Sequence, residues 1–123
     1  LHTNDAAGAV ARLLDLGIEP FLVSSSLAAV LAQRLVRKVH VPCTCTGCAD
    51  CLHTGYQGRM GIFELLVLDE DLRGMVSQRA GASVIKQAAM NKGMVTLRDA
   101  GLDQAKLGRT NLAEVTRVIE GLE

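Results

Sequence analysis

The residues of this chain best suited to chemistry are its cysteines, because a thiolate can bind a soft metal ion or enter a disulfide. All four lie within one stretch of nine residues, as Cys43, Cys45, Cys48 and Cys51. Cys48-x-x-Cys51 has the knuckle spacing of tetrahedral metal sites, whereas Cys43-x-Cys45 is one residue tighter. The cluster predicts a structural zinc site with these four thiolates as its ligands.

The same loop leaves other assignments open. His40 and His53 flank the cysteines, and either imidazole can replace a thiolate. Only Thr46-Gly47 separates the two pairs, so one zinc ion requires the loop to turn sharply at Pro42 and Gly47. Free or partly oxidised thiols, and a disulfide pair, are the alternatives. A disulfide needs an oxidising compartment, of which the sequence gives no sign, and the βαβ context of a thiol redox catalyst is not apparent.

The composition is that of a chain able to fold around an aliphatic core. Of its 123 residues 49% are hydrophobic, but only two are Phe and one is Tyr. The 13 basic and 13 acidic residues balance, which gives no reason to expect nucleic acid or an anionic membrane as the main partner. The longest apolar run, residues 21–32, is shorter than the about 20 residues of a membrane-spanning helix. Because the pattern begins abruptly at Leu1, we expect a fragment of a longer protein.

The elements that position the loop follow from apolar spacing and capping residues. An apolar stripe of helical period starts after Asn4-Asp5 and ends at Gly17, and Pro20 suits the first position of a second helix. Residues 32–39, "AQRLVRKV", fit either a strand or a continuing helix, and residues 59–68, "RMGIFELLVL", fit a buried strand. If both are strands, the cysteine loop is an excursion between two paired strands.

After residue 68 the sequence changes to short helices that end at glycines. The predicted caps are Asp69, Thr96 with Asp99, and Asn111 with Glu114. Each helix is too short to be stable alone. We therefore expect these helices to pack together as a small helical lobe.

Two single side chains carry specific expectations. Glu64 lies inside the predicted buried strand, where a carboxylate needs a partner, and we expect Arg34 or Arg37 across the hairpin to supply it. Tyr56, the only tyrosine, stands between two glycines and is expected to hold the base of the cysteine loop.

Three stretches together resemble one family, the secretion and pilus assembly ATPases. They are residues 1–38, which start at a His box, residues 47–66, which resemble the second half of a tetracysteine motif, and residues 97–118, which resemble the C-terminal helices. The resemblance implies an α/β fold, with residues 1–39 and 59–68 forming the last part of a RecA-like P-loop ATPase core. Residues 40–58 would form a protruding cysteine loop and residues 69–123 a C-terminal helical lobe.

The resemblance also implies a function for the parent protein. Such a protein is a cytoplasmic hexameric ATPase, peripheral to the inner membrane, that uses ATP and Mg²⁺ to power type II secretion or type IV pilus assembly. Its implied partners are neighbouring protomers and an inner-membrane platform protein, not nucleic acid. His2 matches the His-box histidine near the nucleotide γ-phosphate, so it is the implied catalytic residue.

Two departures from the family pattern limit what the resemblance implies. The family places a few tens of residues between two Cys-x-x-Cys pairs, whereas here the gap is Thr46-Gly47, so zinc binding does not follow from the family alone. No G-x-x-x-x-G-K-[ST] occurs in the chain, and we therefore expect this chain alone neither to bind ATP tightly nor to hydrolyse it. The alternatives are a stand-alone structural zinc-binding interaction module and an inactive paralogue of the ATPase.

Overall fold

The computed structural model describes residues 3–120 of the chain. Its elements, in chain order, are α1 (Ala6–Asp15), α2 (Pro20–Ser26), β1 (Ala29–Val39), a 3₁₀ turn (Val41–Cys43), β2 (Tyr56–Val67), α3 (Glu70–Ser77), α4 (Ala82–Asn91), α5 (Leu97–Lys106) and α6 (Leu112–Glu120). The described part is thus a mixed α/β structure. Every helix in it is too short or too polar to cross a bilayer.

The two strands form one antiparallel hairpin around the cysteine loop. The Leu68 amide donates to the Ala28 carbonyl at 3.0 Å, and the His40 amide donates to the Gly55 carbonyl at 2.9 Å, so the strands run in opposite directions. Of the two interpretations of residues 32–39, the strand is therefore confirmed and the continuing helix is wrong. The cysteine loop is indeed an excursion between paired strands.

The described residues divide into two compact units. Unit 1 comprises residues 3–32 and 63–96 with helices α1 to α4, and unit 2 comprises residues 33–62 and 97–120 with helices α5 and α6. The helices predicted as one lobe after residue 68 contribute α3 and α4 to the first unit and α5 and α6 to the second. Both strands pass from one unit into the other.

Unit 1 is built on a contiguous apolar cluster. Along its part of β2 the side chains alternate, with Glu64 and Leu66 buried and Phe63, Leu65 and Val67 exposed, as a sheet with one covered face requires. Helix α1 packs on α4, and α3 packs on α2 and α4. The buried members of the cluster are Ala6, Ala7, Val10, Val23, Leu66, Leu68, Leu72, Val76, Ile85 and Ala89.

The predicted caps at Asp5 and Asp69 are present. Asp5 accepts a hydrogen bond from the Gly8 amide at 2.8 Å, and Asp69 accepts one from the Leu72 amide at 2.9 Å. Each carboxylate also complements the positive end of its helix dipole. Pro20 occupies the first turn of α2, and Gly17 has a φ of +93° directly after α1.

Glu64 is buried, as predicted, but its observed partner is a backbone amide. With 1% of its surface exposed, it accepts a hydrogen bond from the Ala6 amide at 2.9 Å. The carboxylate thus stabilises the N-terminal end of α1, where the dipole favours negative charge. Of the two arginines expected to pair with it, Arg37 instead binds Glu114 through two side-chain hydrogen bonds.

Unit 2 buries fewer aliphatic side chains than unit 1, so polar residues make up a larger share of its buried set. Its buried aliphatic residues are Val36, Ile62, Leu97, Val115 and Val118. Helices α5 and α6 pack closely at Gly101, where an added Cβ would lie 2.7 Å from Val115 Cγ1. Asn111 caps α6, because its Oδ1 accepts from the Glu114 amide at 2.9 Å, which confirms the predicted cap.

Candidate metal centre

The loop between β1 and β2 brings one imidazole and three thiols together. His40 Nδ1 lies 3.2 Å from Cys43 Sγ and 3.4 Å from Cys48 Sγ. Cys51 Sγ lies 3.9 Å from Cys43 Sγ and 3.7 Å from Cys48 Sγ. All four atoms are within 4.8 Å of one another.

These distances fit a tetrahedral metal ion. Zinc–sulfur bonds of about 2.3 Å and zinc–nitrogen bonds of about 2.0–2.1 Å give tetrahedron edges of about 3.8 Å between sulfurs and about 3.5 Å between sulfur and nitrogen. Four of the six separations between the ligand atoms, at 3.2–3.9 Å, are within a few tenths of these edges, and all six are at most 4.8 Å. Three thiols and one imidazole are also a donor set that zinc takes in structural sites. The group can therefore hold a metal ion in a closed four-ligand site.

Local backbone geometry explains how so short a loop folds back. Pro42 lies in the 3₁₀ turn, and Gly47 and Gly55 have φ angles of +93° and +83°. An added Cβ on Gly47 would lie 2.9 Å from the His53 carbonyl oxygen, and one on Gly55 would lie 2.7 Å from the Cys45 carbonyl oxygen. Glycine is required at both positions because the two sides of the loop approach each other there. The sharp turns expected at Pro42 and Gly47 are thus present.

Backbone amides point at the sulfur of Cys51. It accepts hydrogen bonds from the amides of Cys48 at 3.2 Å and Gly55 at 3.3 Å. Burial raises the pKa of the Cys51 thiol, but these two amides and a hydrogen bond with the Cys48 thiol together leave the pKa below its ordinary value. Such bonds stabilise the thiolate, which is the form that binds metal.

The pKa values of the other two thiols in the cluster, Cys43 and Cys48, are shifted in opposite directions. Burial raises the pKa of Cys43. Hydrogen bonds from the Gly47 amide and the neighbouring thiols lower it by more, so the pKa falls below its ordinary value. For Cys48 the amide of Cys51 lowers the pKa, whereas burial and the thiols of Cys51 and Cys43 together raise it above its ordinary value. A bound cation would favour the thiolate form of all three cysteines, because its positive charge offsets the repulsion between adjacent thiolates.

The structure separates the four predicted thiolate ligands. Cys43, Cys48 and Cys51 converge, whereas Cys45 Sγ accepts a hydrogen bond from Asn111 Nδ2 at 3.3 Å. The fourth position is taken by His40, which is 5% exposed, while His53 is exposed. The sequence carries a signal for this choice, since His40-x-x-Cys43 has the same spacing as Cys48-x-x-Cys51. The predicted catalytic residue His2 lies outside the described residues.

A polar network adjoins the loop in unit 2. The Tyr56 hydroxyl donates to Asn111 Oδ1 at 3.0 Å, and the Arg37 guanidinium lies 4.1 Å from the centre of the Tyr56 ring. Tyr56 thus fastens the base of the loop to the start of α6. Hydrogen bonds from Arg117 and, against the opposing effect of burial, from Arg37 lower the pKa of Glu114 from 4.5 to about 2.

Comparison with known proteins identifies the family of this chain. The model of the type II/IV secretion system protein family matches residues 1–117. The chain is 44% identical to type II secretion system protein HxcR of Pseudomonas aeruginosa, over 96% of this chain and 27% of that protein. It is 42% identical to type II secretion system ATPase E of Vibrio cholerae, over 96% of this chain and 28% of the relative. Identity to type IV pilus assembly ATPase PilB of Thermus thermophilus is 41%, over 98% of this chain and 17% of that protein.

The matches cover only part of each relative, and two of them are longer than this chain. The chain spans between 17% and 28% of the three relatives. The matches to the Vibrio and Thermus proteins extend over 143 and 148 residues, whereas this chain has 123. Within the matched region, these two relatives therefore carry residues that have no counterpart here.

Proposed function

Because the chain belongs to the type II/IV secretion system protein family, we propose that it is the C-terminal segment of a hexameric ATPase that powers type II secretion or type IV pilus assembly. The support is identity of about 40% over nearly the whole chain to proteins named as ATPases of these two systems. On this proposal the parent binds ATP and Mg²⁺, lies in the cytoplasm against the inner membrane, and contacts neighbouring protomers and an inner-membrane platform protein. His2 acts near the γ-phosphate.

On the same proposal, each region predicted from the sequence belongs to a different part of the parent ATPase. Residues 1–39 and 59–68 belong to the RecA-like core, residues 40–58 to the cysteine loop and residues 69–123 to the C-terminal lobe. The absence of a G-x-x-x-x-G-K-[ST] motif from these 123 residues means that the phosphate-binding loop must come from elsewhere in the parent.

The segment's own chemical feature is a structural zinc centre held by His40, Cys43, Cys48 and Cys51. The observation that carries this proposal is the convergence of these four ligand atoms within 4.8 Å, in a chain whose other thiol is engaged elsewhere. When bound, zinc crosslinks the two sides of the loop. Since all four positions are filled by protein, none is left for a reactive water, so the centre is structural rather than catalytic.

The rigid loop then presents apolar side chains to a partner. Val41 is 71% exposed and Leu52 is 81% exposed, and Leu52 has a left-handed φ of +56° that a leucine adopts at a cost. Exposed apolar residues on a braced loop are suited to contact a neighbouring protomer or the platform protein.

Elemental analysis of the chain, purified without added metal, tests the zinc centre. We expect close to one zinc per chain, and none in Cys51→Ser. Leu52→Ser is the matched control, because it alters the same loop without touching a ligand and should retain zinc. A purified chain that contains neither zinc nor iron would contradict the proposal.

A graft tests the ATPase assignment. The chain replaces the matching region of the Vibrio cholerae type II secretion ATPase E, to which it is 42% identical. We expect Mg²⁺-dependent ATP hydrolysis by the graft, none by the chain alone, and at least a tenfold loss of kcat in His2→Ala but not in His53→Ala. A graft that assembles to the size of the parent yet hydrolyses no ATP would refute the assignment, as would hydrolysis by the chain alone.

A further inference from the structure

Asn111 uses both ends of its side-chain amide to join three parts of unit 2. Its Oδ1 accepts hydrogen bonds from the Glu114 amide at 2.9 Å and from the Tyr56 hydroxyl at 3.0 Å. Its Nδ2 donates to Cys45 Sγ at 3.3 Å. The orientation of the amide follows from its partners, because a backbone N–H can only face the oxygen. The NH₂ group must therefore face the sulfur.

Cys45 is held away from the other three thiols by more than this bond. Its φ is +65°, and Gly55 packs against it so closely that an added Cβ would lie 3.1 Å from its sulfur. Along the chain, however, Cys45 lies between the cluster residues Cys43 and Cys48. A thiol at this position is a natural competitor for the metal, and thiolate is a softer ligand than imidazole.

We propose that Asn111 selects the ligand set of the metal centre. By donating to Cys45 Sγ it keeps this thiol off the metal and leaves the fourth position to His40. Asn111 is thus a positioning residue and Cys45 an anchor that ties the loop to the start of α6. The inference rests on the proposed zinc centre and adds to it the reason why three thiolates and one imidazole, rather than four thiolates, bind the ion.

Asn111→Asp separates the two functions of the side chain. A carboxylate still accepts from the Glu114 amide and the Tyr56 hydroxyl, and aspartate caps helices as well as asparagine does, so α6 keeps its cap. It has no N–H to donate to Cys45. Cys45 is then free to compete with His40 for the metal.

Cobalt(II) absorption reports the number of bound thiolates, because each sulfur contributes to the sulfur-to-cobalt charge-transfer band. For the unsubstituted chain we expect one cobalt ion per chain and a charge-transfer band with the intensity of three bound thiolates. The intensity should be the same in Cys45→Ala. In Asn111→Asp the band should rise by about 1.3-fold as a fourth thiolate enters the coordination shell. The double variant Asn111→Asp with Cys45→Ala should return to the original intensity.

The outcomes distinguish this inference from the zinc proposal. If cobalt binds and Cys45→Ala alone lowers the band by about a quarter, Cys45 is a ligand and the inference is wrong. It is equally wrong if the band does not change in Asn111→Asp, or if Cys45→Ala does not reverse the change. Failure of the unsubstituted chain to bind cobalt would overturn the metal centre itself, and the inference with it. The Cys45→Ala result does not depend on whether Asn111→Asp folds, since the Cys45→Ala chain keeps Asn111 and its hydrogen bond to the Glu114 amide.

Discussion

The two units of this chain are stabilised by different interactions. Unit 1 has a contiguous cluster of buried alanine, valine, leucine and isoleucine side chains from its four helices and the strand end. In unit 2 the buried set includes His40, Cys51, Thr110 and Glu114 beside a few aliphatic residues. The first unit depends on the removal of apolar surface from water, whereas the second depends on complete polar networks and, on our proposal, on a metal ion.

This contrast predicts how each unit responds to the loss of one side chain. The free energy gained by apolar burial is roughly proportional to the area buried. The loss of one apolar side chain therefore lowers stability by an amount that its own size limits. A buried polar network behaves differently, because removal of one member leaves its partners unsatisfied in a poorly solvated place. A substitution in either unit therefore needs a matched control elsewhere in the chain.

The largest effect is expected from loss of a metal ligand. Apparent binding free energies of structural zinc are about 10–16 kcal/mol in small zinc domains, so Cys51→Ser should abolish zinc binding and disorder the loop. Hydrogen exchange should then accelerate at the His40 amide, which bonds Gly55, but not at the Leu68 amide, which bonds Ala28 in unit 1. Equal acceleration at both amides would abolish the proposed distinction between the units. Cys45→Ala serves as the control that keeps both the metal and the protection.

A smaller but still large effect is expected in the apolar cluster. Leu66 is fully buried, so Leu66→Ala should lower the free energy of unfolding by about 2–5 kcal/mol, whereas zinc stoichiometry should not change. The adjacent Leu65 is 51% exposed, and Leu65→Ala should change stability by no more than about 0.5 kcal/mol. Urea denaturation and elemental analysis of the two variants provide the check. Similar losses in both would mean that this strand end has no distinct buried face.

The carboxylate network predicts a pH dependence in unit 2. The Glu114 side chain is 0% exposed, and its pKa is lowered from 4.5 to about 2 by Arg117 and Arg37. A carboxylate with a lowered pKa stabilises the fold fully above its unfolded value, and this contribution is lost as the pH falls from 4.5 towards about 2. The shift corresponds to a stabilisation on the order of 3 kcal/mol.

Glu114→Gln tests this dependence directly. The stability difference between the unsubstituted chain and the variant should be greatest near neutral pH and shrink through the acid window, as measured by urea denaturation at a series of pH values. Glu120, whose side chain is 64% exposed, provides the control Glu120→Gln, which should follow the unsubstituted chain. A difference that stays constant with pH would show that the charge of Glu114 does not contribute to the network.

The smallest effect concerns the close approach of α5 and α6. In Gly101→Ala the new Cβ would lie 2.7 Å from Val115 Cγ1, which should cost about 1–3 kcal/mol, partly offset by the about 1 kcal/mol higher helix propensity of alanine. Gly74 in α3 has open space around it, so Gly74→Ala should instead stabilise by up to about 1 kcal/mol. Thermal unfolding of the pair measures the contrast. Stabilisation by both substitutions would show that α6 can move to accommodate a methyl group.

Much of the local structure was predictable because its causes lie within a few residues. Asp5, Asp69 and Asn111 each accept from an amide three positions along the chain, so the caps could be identified from sequence alone. The buried strand carrying Glu64 and the turns at Pro42 and Gly47 were likewise predictable from local pattern. The partner of Glu64 was not, because the Ala6 amide is 58 residues away and no pattern marks an amide as a partner.

The sequence alone was sufficient to identify the family, one of the two strands and the short stretch that holds every candidate metal ligand. The spacing of His40 and Cys43 hinted at which four of these residues converge, but the fold settled it, because Cys45 is diverted by Asn111, which is 66 positions away. It also divided the helices after residue 68 between two units and joined Arg37 to Glu114 over 77 positions. Local preferences are set by neighbouring residues and can be identified in the sequence, whereas competition between distant partners is settled only when the chain has folded.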